Sequence, residues 1–463
     1  MRTLPRLGAW LAAALLVSLT AAPPARAQSA DDSAQVADFA RAAVRARVKL
    51  AADHGALWGR RLDTIPWLGV LGGHVVTTAD PRAAGFEPAG PGLWRGALPA
   101  GVAPANTSLS WAGRHWAMVV LPLPADALEA DRLMVHELWH VAQPTLLPLP
   151  SAGEGGAGAA LLDEPEGRTW LQLEWRALAA ALDGRGARRD AALADALLFR
   201  ARRYALASPA ERERERLLDL SEGLAEYTAW TVVGGGSAAL ARRLREDAPK
   251  RRSYVRAFPY YTGPAYGLLA EAREGRAWVR RLARRPDLQA ITAEQLARRG
   301  HAPALARRDS ASLAAAADRA GRRYGLDSLR VAEAERWTGQ QRRLADLRAR
   351  FVDGAALRLR PGALQITFDP GRQTSLGTAG TVMGGLAWKA DDGAELEAPE
   401  GGLVLSDWSE VRLPLDAAVQ GVLSEGPLET RLEARGPGWR LALPPGWRLA
   451  REGRDWVARP PAR

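Results

Sequence analysis

The sequence predicts an α+β protein, in which a mainly helical domain carries a small N-terminal antiparallel sheet and is followed by a C-terminal β domain. Three observations carry that prediction. Residues 126–350 are rich in Ala, Leu and Arg and repeat their apolar positions at helical spacing. Residues 28–125 open with one helical stretch, roughly 32–54, and then break into short β-prone runs divided by Gly and Pro. From about Asp353 the composition shifts, with Gly every few residues between alternating runs such as 363–368 and 438–443, so residues 351–463 read as a sandwich or barrel.

The elements follow in chain order. Residues 1–27 read as a signal peptide, with Arg2 and Arg6 before an apolar core of 12 residues and an Ala25-Arg26-Ala27 cleavage site. That core is too short to span a bilayer, and no later stretch is apolar enough to do so. The expectation is an exported protein, periplasmic or secreted, cleaved near Ala27. The chain contains no Cys, which excludes disulfides and thiol chemistry. Its 463 residues suffice for two or three domains built on apolar cores. Within 28–125, residues 74–78 and 93–98 are the clearest strands, and 106–111 with 116–121 form a hairpin around Ala112-Gly113. His115 on that hairpin reads as structural.

A helix is expected from Asp126 to Gln143, with Asp126 to Glu129 as a capping box and Pro144 as its stop. It contains His136-Glu137-Leu138-Trp139-His140, an H-E-x-x-H motif in a chain with only six His. Two His four apart lie about 40° from each other around a helix, so both rings can reach one metal ion. The Glu between them is placed to take a proton from a metal-bound water. Two His leave a zinc site one protein ligand short. Glu222, in a helical run that begins with the Ser208-Pro209-Ala210-Glu211 cap and ends at Gly234, is the favoured third ligand. Glu174, on an intervening helix over about 167–182, is the alternative. Glu222 and Glu226 share one face, and Gly223 suggests close approach of that helix to the H-E-x-x-H helix. Just upstream, Glu211, Glu213 and Glu215 alternate with Arg212, Arg214 and Arg216 and read as a solvated face.

The pair His136-Glu137-x-x-His140 and Glu222-Gly223-x-Ala225-x-Tyr227 resembles the gluzincin zinc metallopeptidases, the group of thermolysin and aminopeptidase N. The resemblance covers about residues 70–270. It implies a zincin-like catalytic domain, Zn2+ held by His136, His140 and Glu222, and Glu226 bonded to the far nitrogen of a ligand His. Tyr260-Tyr261-Thr262-Gly263 is similar to the Y-x-x-G segment of the aminopeptidase N-like enzymes, which implies Tyr260, or its neighbour Tyr261, as an oxyanion donor. Glu137 would then be the general base. The substrate would be a peptide or protein, pairing as an extended strand with the sheet beside the motif helix. Two departures stand out. Between His140 and Glu222 lie 81 residues, far more than in the familiar members. The G-x-M-E-N segment that holds a substrate amino group is absent from residues 95–125, which leaves endo- against aminopeptidase action open.

The formal charge of +11 comes from 60 Arg and three Lys, scattered among acids on helical surfaces as at Arg280-Arg281, Arg284-Arg285 and Arg307-Arg308. No continuous basic stripe with aromatic platforms points to nucleic acid. Residues 153–158 read as a connector near the motif helix, or a lid. Two other functions stay open at this point, a zinc hydrolase of a non-peptide envelope amide and an inactive zincin-like binding protein.

Overall fold

The computed structural model describes residues 30–150, 160–255, 257–299, 309–361, 366–369 and 372–461. The leader 1–27, the loop 153–158, Arg307-Arg308 and residues 363–365 lie outside them. The chain is α+β and divides into two compact units, Met1–Ala334 and Glu335–Arg463.

The first unit opens with α1 (Ala30–Ala52) and continues into six strands, β1 (Trp67–Leu71), β2 (His74–Thr77), β3 (Glu87–Gly90), β4 (Leu93–Ala97), β5 (Thr107–Trp111) and β6 (Arg114–Val120). Their order in the sheet is β3-β4-β2-β1-β6-β5. The expected hairpin is present, with Ala112 and Gly113 both at positive φ (50° and 69°) in the two-residue turn. The sheet is not wholly antiparallel, because β6 runs parallel to β1 with Trp67 opposite Ala117. Hairpin signals are local and say nothing of how one hairpin docks on another. Here the chain crosses from β4 to β5 at the opposite edge, and β6 returns alongside β1 over Trp67–Val70.

One face of this sheet, through Trp67, Val76, Ala117 and Val119, packs on Phe39, Ala42 and Ala46 of α1 and on α2 (Ala127–Leu146). The Trp67 indole N–H donates to the Met134 carbonyl at 2.8 Å, pinning α2 to the sheet. Asp131 on α2 is buried between Arg45 and Lys49 of α1 at 2.7 and 2.8 Å. The Asp126 carboxylate caps α2 by accepting from the Leu128 and Glu129 N–H groups, while Glu129 turns to Arg132, so the box is half made. The helix also passes the expected stop. Pro144 removes only its own N–H, and the last turn closes with the Leu147 N–H on the Gln143 carbonyl.

Beyond α2 the unit is helical, with α3 (Pro165–Asp183), α4 (Gly186–Leu206), α5 (Pro209–Leu218), α6 (Leu224–Val233), α7 (Gly236–Glu246) and α8 (Pro259–Glu274) before shorter helices. The apolar stripe Trp170, Leu171, Trp175 and Leu178 of α3 is fully buried. Ser208 and Glu211 form a complete capping box at the start of α5. Between α5 and α6 the chain makes one π-helical turn, Asp219–Gly223. Helix α8 begins at Pro259, not near Pro264, which sits inside it.

The long helix Leu326–Arg348 carries the chain into the second unit. There an eight-stranded and a five-stranded sheet share one core, with Leu357, Leu413 and Trp456 from one and Trp388, Leu396 and Leu441 from the other. Among the described residues no helix is long and apolar enough to cross a membrane.

Candidate metal centre

Three helical segments meet at the H-E-x-x-H motif. Helix α2 supplies His136, Glu137 and His140, the π-turn supplies Glu222, and the first turn of α8 supplies Tyr260. The π-turn is an extra residue in the helical register, a device common at functional sites. It lies directly against α8. A methyl on Gly263 would stand 2.2 Å from the Gly223 Cα, so the two glycines let these backbones touch. Gly223 therefore serves an approach to the tyrosine helix, not to the H-E-x-x-H helix as expected.

His136, His140 and Glu222 each turn one ligand atom inward, and these atoms lie within 4.8 Å of one another. The triangle is compact. His136 Nε2 is 3.2 Å from both His140 Nε2 and Glu222 Oε2, and His140 Nε2 is 3.6 Å from Glu222 Oε2. A tetrahedral ion with bonds of about 2.0–2.1 Å separates its ligand atoms by about 3.3–3.4 Å, so these edges are compatible with three ligands to one small metal ion. The His140 and Glu222 side chains keep 18 % and 23 % of their surface exposed, which leaves the triangle reachable from solvent.

A carboxylate behind the triangle orients it. Glu226 Oε2 is 3.2 Å from His136 Nδ1, while its other oxygen accepts from the Trp230 indole and from Arg243, both at 3.1 Å. With Nδ1–H donated to Glu226, the His136 Nε2 lone pair faces His140 and Glu222. Tyr260 stacks on His136, centroids 5.3 Å apart and planes 8° from parallel, and its hydroxyl donates to Glu222 Oε2 at 2.7 Å. Tyr261 instead points away, against Trp175, and accepts from Arg251.

Electrostatics mark the same spot. Burial would lower the His136 pKa, but the Glu222 and Glu226 carboxylates override it and push the ring up to about 10. Burial opposes ionisation of Glu222, yet the two His hold its carboxyl far below the usual range. Glu137 moves the other way, pushed up first by burial, with His136 and His140 pulling back. Its Oε2 is buried and has no hydrogen-bond partner in the protein. Burial, and then the Glu222 charge, raise the Tyr260 phenol. Three carboxylates, Glu137, Glu222 and Glu226, thus gather round two His with Arg243 as the cation in contact. With neutral His and ionised carboxylates the positive charge of Arg243 does not balance the acids, a surplus of negative charge that suits a cation.

The described residues place Glu174 elsewhere. It is fully buried and accepts from Arg200, Arg203 and Tyr266. Nor is Glu215 on a solvated face. It is 1 % exposed and pairs with Arg203, because it falls on the inward side of α5. No protein family, curated protein or solved structure matches the chain. Arg243 and the buried Arg200–Asp219 pair were not foreseen, since a guanidinium among so many Arg carries no signal of its own in a sequence.

Proposed function

We propose that this protein is an exported zinc-dependent peptidase of gluzincin type, hydrolysing peptide bonds in a peptide or protein substrate. The observation that carries the reading is the triangle of His136 Nε2, His140 Nε2 and Glu222 Oε2 beside a buried carboxylate oxygen with no protein partner. Held there, zinc supplies Lewis acidity toward a hydrolytic water and the scissile carbonyl. Glu137 Oε2 accepts the proton of the attacking water and returns it to the leaving amine, a role its raised pKa suits. Glu226 fixes the tautomer of His136 and keeps its Nε2 available. Tyr260 is the candidate oxyanion donor; to act, its hydroxyl turns from Glu222 toward the developing charge. Strand β5 is one edge of the sheet, where an extended substrate would add as a further strand. Export rests on the leader sequence at residues 1–27.

The test has two parts. Zinc per chain in the purified mature protein should be near one, fall sharply in Glu222→Ala and persist in Glu174→Ala wherever that variant folds. Cleavage of casein or a peptide library should drop by at least about 10²-fold in Glu137→Gln while zinc is retained. Zinc without cleavage of any peptide points to a non-peptide amide substrate or a binding role. Absence of zinc even after reconstitution sinks the reading.

A further inference from the structure

Glu222 and Tyr260 come from segments 38 residues apart, yet their side chains meet at 2.7 Å. What holds them in register lies behind them, in a part of the molecule that the proposed chemistry does not use. Asp219, the first residue of the π-turn, is 2 % exposed and bonded from two sides. Arg200 Nη1 of α4 donates to its Oδ2 at 2.6 Å, and the Thr262 hydroxyl of α8 lies 2.7 Å from its Oδ1. That hydroxyl also stands 3.1 Å from the Phe258 carbonyl, but the carboxylate is the nearer and stronger acceptor. Arg200 is itself fixed by Glu174, to which Arg203 and the Tyr266 hydroxyl of α8 also donate. Thr262 sits two residues after Tyr260, and Asp219 three residues before Glu222. Gly263, next after Thr262, and Gly223, next after Glu222, touch through their backbones. The π-turn and the first turn of α8 are therefore joined at three points, by the Asp219–Thr262 bond, the Glu222–Tyr260 bond and the Gly223–Gly263 contact.

We propose that Thr262, Asp219 and Arg200 are positioning residues that lock the π-turn to α8 and so set where Glu222 and Tyr260 stand relative to the two His. This rests on the reading of His136, His140 and Glu222 as a metal site. Physically it follows from where rigidity is needed. A π-turn is a weak element with poor internal hydrogen bonding, and a ligand carried on it needs support from outside the turn. A buried carboxylate bonded to both a guanidinium and a hydroxyl provides that support with fixed geometry.

The test compares zinc affinity, by competition with a chromophoric chelator, with unfolding in urea for the same set of full-chain variants. Thr262→Val removes the hydroxyl at constant shape and should weaken zinc about tenfold, the low end for groups that orient metal ligands. Thr262→Ser restores the hydroxyl and should bind within about twofold of the parent. Gly263→Ala forces the two backbones apart and should weaken zinc at least about tenfold. Gly96→Ala, which crowds the Phe86 ring in the N-terminal sheet at 2.6 Å, should lose stability yet keep its zinc affinity. If a zinc-binding parent shows Thr262→Val with unchanged affinity, or Gly96→Ala and Gly263→Ala with equal losses, the positioning role is overturned and the metal site stands. If the parent binds no zinc, both fall together. Should Gly263→Ala fail to fold, the Thr262 pair decides alone.

Discussion

Two clusters of buried charge lie a few residues apart in this protein, and they solve the same problem in different ways. Around Glu174, the carboxylates of Glu174, Glu215 and Asp219 meet the guanidiniums of Arg200 and Arg203, all 2 % exposed or less. Around His136, the carboxylates of Glu137, Glu222 and Glu226 meet two His and the edge of Arg243, and solvent reaches one side. The first cluster carries its cations within the chain. The second has only the edge of Arg243 from its own chain and turns Glu222 and Glu226 toward the histidines. A buried acid paired with arginine has its countercharge in the chain, whereas one facing histidines forms with them a candidate ligand set for a metal ion.

The sharpest way to break this comparison is to remove one acid from each cluster. Glu174→Ala leaves Arg200 and Arg203 with one carboxylate each, Asp219 and Glu215, and should cost about 3–5 kcal/mol in urea unfolding, with or without metal. A loss under about 1 kcal/mol would show that the first cluster is not self-contained. Zinc should stabilise the parent by about 4 kcal/mol at a thousandfold excess over its Kd and leave Glu222→Ala nearly unmoved. Equal stabilisation of both proteins would place the ion elsewhere. A smaller effect concerns pH. In the metal-free protein His136 is raised from 6.5 to about 10, so its contribution to stability is whole below about pH 6.5 and is lost as pH rises through 10. Urea midpoints in the presence of a chelator should therefore fall over that interval. The zinc-loaded protein, whose His136 is already a neutral imidazole, should not follow. Smallest in stability is Tyr260→Phe, expected within about 1 kcal/mol of the parent. The same variant should lower turnover about 10²-fold if the phenol meets an oxyanion. Unchanged turnover would reduce Tyr260 to a partner of Glu222.

The two clusters also differ in how well they can be read from the chain. His136, Glu137 and His140 share one helix, and local periodicity suffices to place them on one face. Glu222 and Glu226 were recoverable because Gly, Ala and Tyr interrupt an otherwise charged run. Glu215 was not, since alternation of Glu with Arg describes a solvated face and an inward ion pair equally well. Glu174 looked like a possible ligand for the same reason, as its guanidinium partners come from a different helix, at Arg200 and Arg203. The fold shows the same division. The hairpin at Ala112-Gly113 and the cap at Ser208 are local and legible. The parallel pairing of β6 with β1 is not, because it depends on where a crossover returns. Pro144 shows that a helix-breaking residue acts through one lost bond, which the end of a helix tolerates.

The long span between His140 and Glu222 has a consequence in polymer terms. An ion gripping both residues ties a ring through 81 intervening residues of a chain that has no Cys to make such a tie. Were the ion to stay on both residues in the denatured chain, a ring of that size would remove about 4–5 kcal/mol of its freedom, in the entropy model used for cross-links. The ion would then be a staple as well as a reagent. Stripping it should speed unravelling of the three helices inside the ring, α3, α4 and α5, before the C-terminal sheets respond.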